Sequence, residues 1–252
     1  MSRRDLILQE LGLVRWVPRA VAEETAVATP EPPASEASAP GARQTQAVPA
    51  GTGRSALIAG MDWMALKEAV RTCTACALHR GRTQAVFGVG DERADWLLVG
   101  EGPGAEEDAR GEPFVGQAGR LLDNMLSAIG LKRGHDVYIA NVVKCRPPGN
   151  RVPEPGEAGE CEPFLLRQIA LIQPRLIVAL GKTAAASLLR TDASVGSLRG
   201  RLHAFQGVPL LVTYHPAYLL RNMPDKAKAW EDLCMAREHM GRLKSGQALP
   251  AA

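Results

Sequence analysis

Strand-like and helix-like segments alternate through most of this chain, and that alternation restricts the folds open to it. Short apolar segments are predicted to be buried strands at 95–100, 136–143, 174–181 and 208–216. Segments with helical spacing of apolar residues lie at 116–131, 161–172, 182–189 and 227–243. Such alternation predicts an α/β fold with a parallel sheet covered on both faces. Ligands of such folds bind beyond the carboxyl ends of the strands.

The composition is that of a globular protein with one segment that is poor in core-forming residues. The chain has 252 residues, of which 46% are hydrophobic and 23% are charged. Residues 20–60 are rich in Ala, Pro, Glu, Ser, Thr and Gly, so we predict a disordered linker there. The predicted folded domain therefore spans residues 61–243. A short helix at 4–16 lies within a separate segment 1–19, and a flexible tail follows at 244–252.

Charge and hydropathy exclude a membrane span but do not identify a partner. The formal net charge is +3, which allows a basic groove for nucleic acid without arguing for one. Every apolar run is shorter than the roughly 18 residues that a membrane helix needs. The start of the chain carries Asp5 and Glu10 and lacks a secretory signal, so we predict cytoplasmic, nucleoid-associated localisation. Cysteines stay reduced in that compartment.

Four of the five cysteines fall into two groups that could share one metal centre. Cys73 and Cys76 form a CxxC motif, whereas Cys145 and Cys161 lie far downstream and Cys234 stands alone. Reduced thiolates bind zinc or an iron–sulfur cluster, and the spacing alone does not separate the two. A thioredoxin-like CxxC would leave the downstream pair without a role.

Polar residues stand at the carboxyl ends of three predicted strands. Glu101 lies in a glycine-rich loop, Asn141 ends the second strand, and His215 precedes Pro216 after the fourth. A buried asparagine can pair with a base edge, although an isolated asparagine or histidine is more often structural. The convergence of three polar groups on one sheet edge favours a functional site.

Two glycine motifs resemble phosphate-binding loops and fail in detail. The loop after the first strand lacks GxGxxG, and its acidic residues would repel phosphate. Gly181, Lys182 and Thr183 resemble the end of a P-loop, but Leu176 occupies the position of the required earlier glycine. A nucleoside triphosphate site is therefore not predicted.

Taken together, the motifs resemble those of the family 4 (type 4) uracil-DNA glycosylases. The resemblance covers about residues 63–241 and rests on CxxC, GEGPGAEEDARGEPFVGQAG, NVVKCRPPGNR, the cysteine at 161 and YHPAYLLR, in that order. It implies a three-layer α/β/α sandwich with a four-stranded parallel sheet. It also implies base excision repair, in which uracil is flipped out of DNA and its N-glycosidic bond is hydrolysed. A related branch that links covalently to DNA has a histidine-bearing insertion, which this chain lacks.

The resemblance also implies roles for individual residues. A [4Fe–4S] cluster is expected on the four grouped cysteines, Cys73, Cys76, Cys145 and Cys161. Phe114 is expected to stack on the extruded uracil, Asn141 to read its edge and His215 to face its O2 atom. Glu101 is the nearest carboxylate for water activation and, with His215, is the predicted catalytic pair.

Two further residues of the glycine-rich loop are expected at the substrate. Gly102 stands where other branches carry a catalytic aspartate, and Glu107 is a second candidate carboxylate. The segment 218–221 either wedges into the duplex or begins a helix. DNA contacts are expected from Arg146, Asn150, Arg151, Tyr218 and Arg221.

The expected partner is uracil-containing DNA, single- or double-stranded, and the expected state is a monomer. Residues 9–13 (QELGL) weakly resemble sliding-clamp binding peptides, and a tail without a partner is the alternative. Two other functional classes stay open at this point: a non-catalytic nucleic-acid-binding or polymerase-associated module, and an electron-transfer protein.

Overall fold

The computed structural model describes residues 53–248. The predicted helix at 4–16, the possible clamp-binding peptide and most of the predicted linker lie outside the described residues, so those expectations stay predictions. None of the described helices is long and apolar enough to cross a membrane.

One twisted sheet organises the described part of the chain. Its strands, in chain order, are β1 Val89–Gly90, β2 Trp96–Gly100, β3 Val137–Asn141, β4 Leu176–Leu180, β5 His203–Phe205 and β6 Val208–Thr213. Their spatial order is β1-β3-β2-β4-β6-β5. The four inner strands are mutually parallel, whereas β1 and β5 pair antiparallel at the two edges.

The predicted four-stranded parallel sheet is thus confirmed as the centre of a six-stranded mixed sheet. All residues of β2, β3 and β4 are buried, which is why these strands read as unbroken apolar runs. The edge strands have two and three residues and are only partly buried or exposed. Strands so short carry no periodicity that could reveal them in the sequence.

Helices cover both faces of the sheet. They are α1 Arg54–Ala59, α2 Trp63–Arg71, α3 Ala105–Arg110, α4 Gln117–Ala128, α5 Pro155–Ile172, α6 Lys182–Leu189, α7 Val195–Leu198, α8 Pro216–Arg221 and α9 Lys226–Lys244. Short 3-10 helices lie at Ala77–Arg80, Pro148–Asn150 and Met223–Asp225. The predicted helices at 116–131, 161–172, 182–189 and 227–243 correspond to α4, α5, α6 and α9.

Two apolar cores, one on each side of the sheet, hold the three layers together. Successive side chains of β2 point into opposite cores. Leu97 and Val99 pack with helices α1, α2, α5 and α6. Leu98 faces the other way, among residues of α4 and α9 such as Leu122 and Leu233. The expected α/β/α sandwich is therefore confirmed.

Helix α5 begins six residues before the predicted start at Cys161. Pro155 occupies the first helical position, and the Glu157 carboxylate accepts the N–H of Glu154 at 2.8 Å. Together these residues form a helix-start signal that is present in the sequence. The predicted start was too late because it was based only on the spacing of apolar residues.

Helix α1 differs from the prediction of a linker that extends to residue 60. The Ile58 side chain is 2% exposed within the core under α5. The Arg54 guanidinium donates to the Glu160 carbonyl at 2.7 Å and lies 4.9 Å from the Phe164 ring centroid. One buried apolar residue and one cation–π contact stabilise this helix, and neither is visible in the low-complexity composition around it.

We expect Ile58→Ala to lower the free energy of unfolding by about 2 kcal/mol or more, because it leaves a cavity under α5. Leu57 is the matched control, since its side chain is 71% exposed and its replacement by alanine should change stability by less than about 0.5 kcal/mol. Urea unfolding of both variants checks this. Equal stabilities would show that α1 does not belong to the cooperative domain.

Candidate active site

A cleft of about 510 Å³ opens at the carboxyl edge of the parallel strands. Its walls come from the segments that follow β2, β3 and β6, as expected for an α/β fold. The cleft brings together ten of the eleven residues predicted for catalysis, substrate binding or DNA contact: Glu101, Gly102, Glu107, Phe114, Asn141, Asn150, Arg151, His215, Tyr218 and Arg221. Arg146 is the exception and does not line it.

The floor of the cleft depends on a glycine at the end of β2. A Cβ atom on Gly100 would lie 2.5 Å from Asn141 Oδ1 and 2.6 Å from Phe114 Cζ. A side chain at residue 100 would therefore displace the two residues that face each other across it. Gly119 allows the Phe114 backbone to pass close to α4, because a Cβ atom on Gly119 would lie 1.8 Å from the Phe114 carbonyl oxygen.

Phe114 is held in a conformation that few non-glycine residues adopt. Its φ is 56°, in the left-handed region, and its side chain is buried. Arg133 Nη2 donates to the Phe114 carbonyl at 2.8 Å, and Glu107 Oε1 accepts the N–H groups of Val115 at 2.9 Å and Gly116 at 3.1 Å. These bonds fix the two peptide groups that follow Phe114.

The same bonds define what Glu107 does. Its second oxygen accepts the Gly104 N–H at 3.1 Å, so both carboxylate oxygens bind backbone amides. Glu107 lines the cleft, as predicted for a substrate-binding residue, but its hydrogen bonds make it a brace between two turns of the loop.

Asn141 presents an unsatisfied polar atom to the cleft. The side chain is 2% exposed, and its Oδ1 has no hydrogen-bond partner among residues 53–248. Leaving such an acceptor unpaired costs about 1–3 kcal/mol, so a site of this kind is built for a ligand that supplies a donor. Asn141 ends β3 directly beside Gly100 of β2 in the parallel register.

His215 is a neutral imidazole with a defined tautomer. It caps α8, and its Nδ1 accepts the Ala217 N–H at 3.2 Å, which leaves the ring proton on Nε2. Burial and, to a smaller extent, the positive charge of Arg221 lower the pKa of His215 from 6.5 to about 4, against the opposing effect of Glu107. The ring lies 5.5 Å from the Phe114 ring, centroid to centroid, at an angle of 32°.

Glu101 lies between the ends of two parallel strands. Its Oε2 accepts a hydrogen bond from Thr183 Oγ1 on the first turn of α6. The next residue, Gly102, has no room for a side chain, since a Cβ there would lie 2.7 Å from Val143 Cγ2. An aspartate at residue 102 would thus require Val143 to move, and Glu101 is the carboxylate that this backbone accommodates.

The arginines predicted to contact DNA differ in whether other side chains already bind their guanidinium groups. Arg151 makes a two-fold ion pair with Glu157, at 2.7 and 2.8 Å, and Arg146 Nε donates to Asn150 Oδ1 at 2.7 Å. Arg221 is exposed on α8 and lines the cleft. Of these three arginines, Arg146 and Arg151 are held in place by hydrogen bonds to neighbouring side chains.

The segment 218–221 belongs to helix α8, which agrees with the helical alternative for this stretch. Leu219 is 1% exposed and packs inward, whereas Leu220 is 38% exposed. The Tyr218 hydroxyl donates to Asp225 at 2.7 Å, and its ring stacks on Tyr214 with centroids 5.2 Å apart. Leu220, and not Leu219, is the apolar side chain available to contact DNA.

The four grouped cysteines line a second, small and apolar cavity of about 10 Å³, between α2 and α5. Protein donors point at three of their sulfurs. Arg82 Nη1 lies 2.9 Å from Cys145 Sγ, Arg54 Nη2 lies 3.5 Å from Cys73 Sγ, and the Lys144 N–H lies 3.3 Å from Cys161 Sγ. Cys234 is not among the lining residues.

Burial controls the chemistry of these thiols. It raises the pKa of Cys145 and raises that of Cys161 to about 11. Metal binding at such thiols would require the loss of their protons. Within residues 53–248, no three His, Cys, Asp or Glu side chains lie close enough together to share one metal ion.

Lys144 is a buried residue beside Asn141 that the sequence analysis did not place at the site. It is 1% exposed, and burial lowers its pKa to about 8. Its Nζ donates to the Asn141 carbonyl at 2.8 Å and to Gln168 Oε1 at 2.6 Å. Lysine is rarely buried, so pattern reasoning places it in solvent, and its position next to Cys145 was the available signal.

We expect the His215 imidazole to titrate near pH 4 in an NMR experiment, because burial disfavours its charged form. Arg221→Gln removes a neighbouring positive charge, so the pKa should rise towards 6.5. Arg237→Gln, at an exposed position of α9, is the charge-matched control and should leave the titration unchanged. A wild-type midpoint near 6.5 would contradict the buried neutral imidazole.

Comparisons with known proteins agree with this geometry. A family model described as the uracil DNA glycosylase superfamily matches residues 87–234. A type-4 uracil-DNA glycosylase of Pyrobaculum aerophilum is 43% identical over 185 residues, which is 69% of this chain and 93% of that protein. The enzyme of the same name from Thermotoga maritima is 47% identical over 165 residues, 65% of this chain and 85% of that protein.

A third relative, the type-4 uracil-DNA glycosylase of Archaeoglobus fulgidus, is 43% identical over 159 residues, 60% of this chain and 79% of that protein. The family model covers more than half of the chain, and the match includes the cleft and the sheet. The chain therefore belongs to the uracil DNA glycosylase superfamily and, within it, to the type-4 family that its motifs indicated.

Proposed function

We propose that this protein is a DNA-repair glycosylase that hydrolyses the N-glycosidic bond of deoxyuridine in DNA, releasing uracil and leaving an abasic site. One observation carries the proposal: the buried, unpartnered Oδ1 of Asn141 lies in the same cleft as the Phe114 ring and a neutral His215. The names of the relatives give the reaction that this arrangement suits.

The substrate base must leave the duplex before it can reach the cleft. Extrusion costs roughly a few kcal/mol and is easiest at a mismatch or in a single strand. The Phe114 ring, fixed by its left-handed backbone, offers a face on which the flipped base can stack. Since the ring is held before the base arrives, little ordering remains to oppose binding.

Asn141 is the group that distinguishes uracil from cytosine. Its amide can donate to uracil O4 while Oδ1 accepts the N3–H, which satisfies the buried acceptor. Cytosine presents the opposite pattern, an amino donor and a bare N3. A cytosine in the cleft would leave both ends of the buried amide unpaired, and sites of this type discriminate strongly.

His215 is suited to stabilise the departing uracil. Cleavage leaves negative charge on the base, and a neutral imidazole with its proton on Nε2 can donate to O2. One preorganised donor of this kind is worth about 2.7–4 kcal/mol in the transition state. The Ala217 N–H bond to Nδ1 keeps the donor nitrogen directed at the ligand and not at the backbone.

Glu101 faces the sugar side of the reaction. A positively charged, oxocarbenium-like sugar is stabilised by a nearby carboxylate, which can also orient the attacking water. Glu107 is the other candidate carboxylate, but its oxygens already accept three backbone N–H groups. Glu101 is therefore the proposed catalytic carboxylate of the loop.

We propose a [4Fe–4S] cluster on Cys73, Cys76, Cys145 and Cys161. The four sulfurs line one apolar cavity, and the resemblance of the cysteine motifs to those of the type-4 family favours a cluster over one zinc ion. The arginine and amide donors near three sulfurs suit anionic thiolates and their cluster. When bound, the cluster would tie the segment before β1 to the loop after β3.

The DNA partner is proposed to lie along the rim that carries Asn150, Arg151, Tyr218 and Arg221, with Arg146 beside it through its bond to Asn150. The sliding-clamp contact of residues 9–13, the monomeric state and the nucleoid association stay predictions. Loss of clamp binding on Gln9→Ala would test the first of these.

We expect purified protein to convert a uracil-containing oligonucleotide into alkali-labile abasic product, and His215→Ala to lower the single-turnover rate by about 10²–10³-fold. His135→Ala, at an exposed residue before β3, should retain the wild-type rate. No abasic product from folded wild-type protein would instead favour a non-catalytic nucleic-acid-binding module.

We expect protein purified without air to contain iron and acid-labile sulfide and to show the broad visible absorption of an iron–sulfur cluster. Cys161→Ala should lose most of that absorption and lower thermal stability, because its sulfur lies in the buried cavity. Cys234→Ala, outside the cavity, is the matched control. Stoichiometric zinc without sulfide would contradict the cluster.

A further inference from the structure

We propose that the turn formed by residues 181–183, between β4 and α6, positions both proposed catalytic groups, Glu101 and His215. The inference rests on the proposed function and adds two residues to it. Gly181 and Thr183 belong to the glycine motif that resembled a P-loop without meeting its requirements. The structure gives the two residues separate contacts, one to each catalytic group.

The first contact is a hydrogen bond. Thr183 Oγ1 donates to Glu101 Oε2, across the gap between the ends of the adjacent parallel strands β4 and β2. Within the described residues, no hydrogen bond is made to the other oxygen, Oε1, and Glu101 lines the cleft. One oxygen is thus anchored and the other is free to orient a water molecule.

The hydroxyl group that binds Glu101 comes from a fixed element of the fold. Thr183 is the second residue of α6, so its side chain projects from the first turn of that helix. The turn therefore fixes the rotamer that the proposed reaction requires of Glu101.

The second contact is steric. Gly181 has φ of 90°, and its N–H donates to the Thr213 carbonyl at 2.8 Å, which joins the turn to the end of β6. A Cβ on Gly181 would lie 2.9 Å from His215 Cβ. Because His215 Cβ is close to the backbone and cannot rotate away, the imidazole would have to move as a whole.

The two contacts act on different sides of the substrate. Thr183 orients the group on the sugar side, and Gly181 leaves the space that the donor to uracil O2 needs. Lys182, between them, is exposed and does not line the cleft. The turn therefore sets the separation of the two catalytic groups without touching substrate, which makes Gly181 and Thr183 positioning residues.

The hydrogen bond is tested by Thr183→Val and Thr183→Ser in single-turnover and steady-state assays on uracil-containing DNA. We expect Thr183→Val to lower kcat by roughly tenfold or more with KM within about twofold, and Thr183→Ser to restore most of it. In a Glu101→Gln background, Thr183→Val should add little further loss. Lys182→Ala is the neighbouring control and should keep wild-type kcat.

A folded Thr183→Val protein with unchanged kcat would overturn this part of the proposal. So would a loss of equal size in the Glu101→Gln background, since the effect would then not pass through Glu101. Thermal melting of each variant separates these results from simple destabilisation.

The steric contact is tested by Gly181→Ala against Gly200→Ala. Gly200 also has a positive φ, 72°, but nothing lies within 4 Å of its added Cβ, so this variant places a side chain at a positive φ without the clash. We expect Gly181→Ala alone to shift the His215 imidazole resonances and to lower kcat at least tenfold. Both variants should lose some stability.

Unshifted His215 resonances in Gly181→Ala, or the same shift in Gly200→Ala, would overturn the steric assignment. This readout is independent of the reaction. An inactive wild-type protein would remove the proposed function, while the resonances would still report whether the turn positions His215.

Discussion

The parallel register that places Gly100 beside Asn141 is the constraint on which the rest of the site depends. Phe114 and Asn141 can approach each other only because residue 100 has no side chain, and a single methyl group there would meet both. Strand β2 is central, with β3 on one side and β4 on the other, so its loop is next to the loops that carry Asn141 and Thr183. The sheet order thus determines which side chains meet, and the glycine determines how closely.

The cysteine cavity and the cleft are structurally connected, because the segment 141–145 contributes residues to both. Asn141 faces the cleft and Cys145 the cavity, and between them the buried Lys144 ammonium donates to the Asn141 carbonyl. The Lys144 N–H in turn points at Cys161 Sγ. A buried cation needs nearby negative charge, and thiolates of a bound cluster would supply it. The cluster would thereby stabilise the backbone that holds Asn141, the proposed uracil-reading residue, and would act as a structural tie and not as a reactant.

The sequence predicted the central sheet, four main helices and the residues of the cleft, because each of these leaves a local or ordered pattern. Apolar runs mark β2, β3 and β4, and polar residues at their ends mark the site. What it missed depends on tertiary contacts. The role of Thr183 requires the pairing of β2 with β4, and the helix at Arg54–Ala59 requires Phe164 and Glu160 from a segment about a hundred residues away. The start of α5 is different, because Pro155 and Glu157 form a local helix-start signal in the sequence itself.

The acidic loop after β2 is compatible with an anionic substrate because most of its charge is used internally. Asp108 is 2% exposed and accepts the N–H groups of Thr83 and Gln84, and Glu107 accepts three more from its own loop. Carboxylates bonded in this way stabilise backbone turns, and the amide dipoles offset their charge. Glu101 receives one hydroxyl bond and keeps an oxygen in the cleft. The number of backbone N–H groups that each acid accepts therefore separates the bracing residues Glu107 and Asp108 from Glu101, the proposed catalytic carboxylate.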